Sequence, residues 1–318
     1  MTAPAIPVAR AGQPASRAKP IDRFGGLVEV WFRSHTALVY LFLYLPIFVV
    51  VLFAFNATTR RVTDWDGFSL KWFGVALADT VVQKALQNSF WVALPNAFMA
   101  TLFGTMAALG LQRVRKSVRI GFDALTYISV IVPEIVIALA TLVFFASTFD
   151  LINPLLAELQ GGVARPWQLN LGRETIIAAH VLFNTSLVLL LVRARLSTMD
   201  RTLVEASYDL FATPWRTFRQ ITLPALLPAI VAGFLLAFTF SFDDYVITTF
   251  TSGPGSSTLP LFVFGQIKRG VTPETNAVAT MMLAFTLSML VLGQLILRWQ
   301  TRRRGQKSSI AGIVAEAG

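Results

Sequence analysis

Three carboxylates stand inside stretches otherwise apolar enough to cross a bilayer: Glu134 in residues 123–148, and Asp243 and Asp244 towards the end of 225–250. A charge at the bilayer centre costs about 2.5–3.5 kcal/mol on insertion scales, so an acid kept there is expected to face a cavity and to have a partner. On a continuous helix Ser241, Asp244 and Tyr245 share one broad face at i, i+3 and i+4, with Asp243 offset by about 100°. Spaced carboxylates beside an aromatic ring suit an organic cation with several ammonium groups, held by ion pairs and cation–π contact. Plainer roles compete with this one. The aspartates could pair with Lys268 or Arg269 or cap an outer helix end, and Glu134 could lock two helices by a hydrogen bond. A metal centre is not expected: cysteine is absent and the histidines are His35 and His180. His180, inside the fourth apolar stretch, reads as a hydrogen-bonding link between helices rather than a proton carrier.

The elements that hold these residues follow from composition. Hydrophobic residues make up 55% of the 318 positions and charged residues 14%, with a mean hydropathy of +0.63; soluble domains carry about 25% charged residues. The net charge of +10 does not indicate nucleic acid, because the basic residues sit in short clusters between apolar stretches rather than in an aromatic-interleaved patch. Six stretches are long enough for a spanning helix, which needs about 20 apolar residues: 36–55, 89–111, 123–148, 175–192, 225–250 and 276–298. Helix is the default, because backbone groups in lipid must be satisfied within the segment. The expected fold class is therefore an all-α integral membrane protein with six transmembrane helices. Pro46, Pro95, Pro133 and Pro228 are expected to kink these helices or flank their ends.

Basic residues set the expected orientation. With the N-terminus inside, nineteen of the 27 lysines and arginines fall on inner segments, including the clusters Arg113–Arg119, Arg193–Arg219 and Arg298–Lys307. That asymmetry places both termini in the cytoplasm. Residues 1–35 read as a cytoplasmic tail without the apolar core of a signal peptide, 36–300 as the transmembrane domain, and 301–318 as a second unstructured tail. Residues 68–87 alternate at helical spacing and are expected at the membrane surface, with Trp72 and Trp167 as interfacial anchors.

The inner loop 193–224 is the most informative stretch. Thr202 with Glu205 reads as a capping box starting a helix near Leu203. Thr213 before Pro214 reads as an N-cap and first helical residue of a second helix, with a bend at 211–213. The spacing resembles the EAA loop of ABC importer permeases: E-A-A, a glycine four residues on, and I-x-L-P ten residues later. Glu205, Ala206 and Ser207 fill the first positions, Asp209 and Ala212 follow, and Ile221, Leu223 and Pro224 stand at the expected distance. Phe211 stands where that family has glycine. A bulky residue at positive φ is costly, so a different backbone, or a turn moved by one residue, is expected there.

Further motifs resemble the C-type permease branch for spermidine and putrescine: S-x-D-D at Ser241–Asp244, G-P followed by L-P at Gly253 and Leu259, P-E-x-N-A at Pro273–Ala277, and Pro133-Glu134-Ile135-Val136. The resemblance implies a type I ABC importer permease (MetI-like) fold in a bacterial inner membrane. It implies that residues 202–224 dock on ATPase subunits. It also implies that Trp72, Glu134, Ser241, Asp243, Asp244 and Tyr245 line a polyamine path. The partners implied are a homologous second permease, two ATPase subunits, an extracytoplasmic solute-binding protein and the lipid bilayer, with no cofactor. The chain lacks a Gly-rich phosphate loop ending in Lys-Ser/Thr, so it is not expected to hydrolyse ATP. Alternatives are the same machinery carrying an opine, an aminoethylphosphonate or another amine. A secondary transporter would show paired repeats with broken helices, which the sequence does not suggest.

Overall fold

The computed structural model describes residues 23–59, 62, 64–161 and 167–316. The expected tail before residue 23, and Arg60, Arg61 and Arg165 among the eight basic residues not on the inner segments, lie outside them. The chain divides between Val49 and Val50 into two units. The first holds most of helix α1 (Arg23–Ala54), which contains Pro46 and is braced along its surface by a Glu29–Arg33 pair at 2.5 Å.

In the second unit, a loop folds around Asn56, whose side chain donates to the Val62 and Asp64 carbonyls and accepts from the Thr58 and Asp66 N–H groups. Helices α2 (Lys71–Ala78), α3 (Thr80–Gly110), α4 (Lys116–Ile131), α5 (Glu134–Leu159) and α6 (Arg173–Ser197) follow. Then come α7 (Thr202–Asp209), α8 (Pro214–Thr217), a π-helical turn (Phe218–Thr222) and α9 (Leu223–Phe242). The chain continues through α10 (Val246–Thr251) and α11 (Leu259–Arg269) to α12 (Pro273–Glu316). Among the described residues six segments are long and apolar enough to span a membrane: Val28–Ala54, Thr80–Gly110, Glu134–Leu159, Arg173–Ser197, Pro214–Phe242 and Pro273–Ile296. The expected six-span, all-α class holds.

Several boundaries correct the sequence reading. The third span is not one helix from 123: α4 ends at Val132 (φ −64°, ψ 133°), and Pro133 (φ −54°, ψ 133°) is also extended. Proline lacks an N–H and pushes the residue before it out of the helical region, so the chain restarts at Glu134. That residue opens a helix instead of lying mid-way along one. The fifth span likewise ends at Phe242 and resumes at Val246, which dissolves the continuous face drawn through Ser241, Asp244 and Tyr245. Broken helices, unexpected from sequence, are therefore present at two places. The surface segment 68–87 is only the one short helix α2, and from Thr80 its residues already belong to the second span. At the other end α12 runs on through Glu316, past the point where a tail was expected.

The core is built from small residues. Ala93, Ala97, Ala100, Gly104 and Ala108 repeat every three or four positions along α3, and the alanines are buried. They meet Val188, Leu189, Val192 and Leu196 of α6, with Leu226, Ala237, Phe238 and Phe242 of α9 completing the cluster. Lipid tails are as apolar as leucine, so helices in a membrane gain by close backbone approach, which small residues permit. A side chain at Gly104 would meet Val188 Cβ at 2.8 Å. Gly104→Val is therefore expected to overpack the α3–α6 contact and to destabilise the fold by about 1–3 kcal/mol. A lowered thermal unfolding midpoint of the purified protein checks this.

Candidate functional site

The two breaks bring the acids together. Where α9 ends, Asp244 turns its carboxylate onto the start of α10. Oδ2 accepts from the Thr248 N–H at 2.8 Å and the Thr248 hydroxyl at 2.7 Å, and Oδ1 accepts from the Ile247 N–H at 3.3 Å. These are backbone donors that a helix start leaves unpaired, so capping, one of the plainer roles, is observed. His180 of α6 comes from the side, its Nε2 3.0 Å from Asp244 Oδ2 and its Nδ1 2.7 Å from the Ser241 hydroxyl. His180, Ser241, Asp244 and Thr248 are all buried. Glu134 opens α5, whose next turn packs Ala138 against Ile247 of α10 and Ala179 of α6.

Asp243 is partnered differently. Its two oxygens share one donor, the Thr286 hydroxyl of α12, at 3.1 and 3.0 Å, and the residue remains half-buried. Among the described residues neither aspartate is ion-paired with Lys268 or Arg269. Tyr245 points to α11, where its ring stacks on Phe264 with centroids 4.0 Å apart; Lys268 Nζ lies 5.6 Å from the Phe264 ring. Trp72 is held elsewhere, donating its indole N–H to the Thr58 carbonyl at 3.1 Å. The structure thus gathers Glu134, Ser241, Asp243 and Asp244 around the breaks, sets Tyr245 beside them, and leaves Trp72 apart. Thr248 and Thr286 escaped the sequence reading. The first had a signal, since a hydroxyl four residues after an aspartate suits a cap; the second depends on tertiary packing alone.

The motifs flanking this cluster have structural causes. A side chain at Gly253 would strike the Leu171 carbonyl oxygen at 1.8 Å, so only glycine fits there. Asn88 of α3 donates to the carbonyls of Gly255 and Ser257, both at 2.9 Å, and the Ser89 hydroxyl accepts from the Leu259 N–H at 2.8 Å. The G-P to L-P stretch is thereby pinned to α3.

The second candidate site is the loop 202–224. Its first helix is not opened by a Thr202–Glu205 capping box. Asp200 accepts from both the hydroxyl and the N–H of Thr202, at 2.8 and 2.9 Å. Those donations hold its carboxyl below the usual range, so this cap persists at neutral pH and is lost as pH falls through the lowered value. The second cap is as expected: Thr213 Oγ1 accepts from the Arg216 N–H at 3.4 Å, with Pro214 at the first helical position. Between them the turn also corrects the sequence reading. Phe211 itself takes the left-handed conformation, φ 56°. The Ala212 N–H bonds the Ser207 carbonyl at 3.0 Å, and the Phe211 N–H bonds the Tyr208 carbonyl at 2.9 Å, the paired bonds of a Schellman ending. The two helices are clasped by Ser207 Oγ and Thr217 Oγ1, 2.9 Å apart and buried. Glu205, Ala206 and Asp209 are exposed. Leu210 and Phe211 are 82% and 95% exposed, and with Leu203 and Trp215 they make an apolar tip, a composition typical of a contact surface. Ile221 sits in the π-helical turn, and Leu223 and Pro224 open α9. At the base of the loop Arg193 of α6 ion-pairs with Asp123 of α4.

Comparison with known proteins adds to this geometry. A family model described as binding-protein-dependent transport system inner membrane component matches residues 100–306. The putrescine transport system permease protein PotI of Escherichia coli (strain K12) is 37% identical over 273 residues, covering 86% of this chain and 90% of the relative. The spermidine/putrescine transport system permease protein PotC of Haemophilus influenzae is 36% identical over 261 residues, covering 82% and 93%. Among solved structures, a chain of a bacterial ABC transporter involved in the import of the acidic polysaccharide alginate matches with a TM-score of 0.67 at 14% identity, over 88% of this chain and 96% of that one. This last likeness establishes the fold, that of ABC transporter membrane subunits.

A left-handed residue with a side chain costs about 1–2 kcal/mol. Phe211→Gly is therefore expected to strengthen the turn by about that amount, read as slower hydrogen exchange across residues 202–217.

Proposed function

This chain belongs to the family of binding-protein-dependent transport system inner membrane components, and from that premise we propose that it forms the path by which an ATP-binding-cassette importer takes up polyamines. The observation that carries the reading is 36–37% identity, across more than four-fifths of the chain, to permeases of putrescine and spermidine systems. The geometry fits a polyamine, a flexible methylene chain with ammonium groups along it. Glu134, Asp243 and Asp244 supply acceptors for successive ammonium groups by charge-assisted hydrogen bonds. A cavity of about 320 Å³ beside the α4–α5 break, lined by Val132, Val136, Ile137, Thr141 and Leu182, offers apolar wall for the methylenes between. Tyr245 and Phe264 add aromatic faces nearby.

The energy comes from separate ATPase subunits in this reading, docked on the apolar tip around Leu210 and Phe211 with Glu205 and Asp209 on its flank. The tip lies on the cytoplasmic side and both termini face the cytoplasm, as the basic inner segments favour. A second, homologous permease completes the path, and an extracytoplasmic binding protein delivers the solute. The secondary-transporter reading is set aside: broken helices are present, but they occur in a member of this importer family.

Three variants separate path from coupling. With the chain assembled with its companion subunits in proteoliposomes, Asp243→Asn or Glu134→Gln is expected to raise the KM for putrescine uptake about tenfold or more, as loss of a charge-assisted contact would, while the ATPase still co-purifies. Phe211→Asp is expected to lose the ATPase. Unchanged uptake in both acid variants would overturn the cation path, and full ATPase retention with Phe211→Asp would overturn the docking assignment.

A further inference from the structure

The hydrogen-bond partners of His180 favour a proton on Nε2. Nε2 faces Asp244 Oδ2 at 3.0 Å and Thr248 Oγ1 at 3.3 Å. The carboxylate oxygen can only accept, and the Thr248 hydroxyl already donates to that same oxygen at 2.7 Å, so both neighbours of Nε2 are acceptors. Nδ1 faces a single partner, the Ser241 hydroxyl at 2.7 Å. A helical serine commonly donates to the carbonyl four residues back, which here is Ala237. That carbonyl accepts instead from Asn96 Nδ2 at 3.0 Å, and Asn96 in turn accepts from Asn184 at 3.3 Å. The Ser241 hydroxyl is turned to the ring.

We infer that His180 is a positioning residue of the cation path, held by Ser241 as the Nε2–H tautomer so that it fixes the Asp244 carboxylate with Oδ1 presented to the cation. This rests on the polyamine-path reading. Of the hydrogen bonds from α6 and α10, three reach Oδ2 and one, at 3.3 Å, reaches Oδ1, which makes Oδ1 the oxygen with more acceptor capacity towards α5 and the cation. The ring is only 1% exposed, so it acts through Asp244 and does not itself touch the substrate. The device needs one residue from α6, one from the end of α9 and one at the start of α10, so it also holds the break in the fifth span at a fixed angle to the fourth. Ser241 acquires a distinct role: it sets the tautomer of the histidine and makes no contact with the cation.

The chain has two histidines, which makes the tautomer directly readable. The assembled transporter, with this chain alone carrying 15N-histidine, is examined by solid-state NMR, and His35→Gln assigns the spectrum. The expected result is a His180 ring protonated at Nε2 and bare at Nδ1, with this preference lost in Ser241→Ala. In uptake assays with putrescine, His180→Leu is expected to raise KM about tenfold or more with a smaller change in kcat. His180→Gln, whose amide can still donate to Asp244, is expected to restore most of the affinity. A proton on Nδ1 in the unmodified protein, or an unchanged KM in His180→Leu, overturns the inference. If His180→Leu fails to assemble, the spectrum and His180→Gln decide. Asp243→Asn separates the two readings. A raised KM there with normal KM in His180→Leu removes only the role of His180, whereas normal KM in Asp243→Asn and Glu134→Gln alike removes the path itself.

Discussion

Inside hydrocarbon no water is available to satisfy a broken helix end or a carboxylate, so whatever interrupts a span must be satisfied by protein atoms. At the end of α9 each problem answers the other. The interruption frees the N–H groups of Ile247 and Thr248, and Asp244 accepts from both. The carboxylate, in turn, receives those donors together with the Thr248 hydroxyl and the His180 ring. Removing the acid would leave the start of α10 uncapped; removing the break would leave the acid without its backbone donors. Glu134 is brought alongside by a second interruption, this one made by Pro133. The site is therefore a property of two helix interruptions, at the start of the third span and the end of the fifth, rather than of any single helix face.

These breaks can be held in place only because the helices around them approach closely and do not slide. The alanine and glycine face of α3 lies against α6 and α9, and it is α6 that carries His180 into the cluster. The same helices reach the other site. Arg193, near the end of α6, ion-pairs with Asp123 on α4, and α4 runs up to the Val132–Pro133 interruption that starts the Glu134 helix. The loop 202–224 joins α6 to α9, and α9 ends at Phe242, next to Asp243. In the proposed importer a push on the loop thus reaches both breaks through packed elements that are continuous or directly ion-paired.

Much of this was legible in the sequence, and the exceptions have physical reasons. The spans were visible because a lipid-crossing helix needs a long apolar stretch, and such stretches survive uncertainty at their ends. The breaks were not, because hydropathy is averaged over a window and stays high across Val132–Pro133 and Phe242–Val246. Pro133 was read as a kink, and only its geometry with Val132 shows a full stop. The register of Glu205 to Pro224 was fixed by spacing, but the backbone at Phe211 was not. Local propensity argues against a phenylalanine at positive φ, and the two Schellman bonds with the Ser207–Thr217 clasp overrule it. Thr202 was assigned a cap that Asp200 provides, since both residue types suit the role and only the folded backbone chooses. His180 was correctly expected to bond between helices; that its partner would be one of the acids required knowing that α9 stops where it does.

In the proposed importer Glu134, Asp243 and Asp244 form a cation path because two helix interruptions meet there. A high-resolution cryo-EM map of the assembled transporter, trapped with putrescine inside the membrane, tests it most directly. The proposed path requires an ammonium group within hydrogen-bond distance of Asp243 or Glu134, and the Asp244 cap on α10 intact. A map with the diamine lodged elsewhere in the membrane region, and these three carboxylates bonded only to protein, would contradict it.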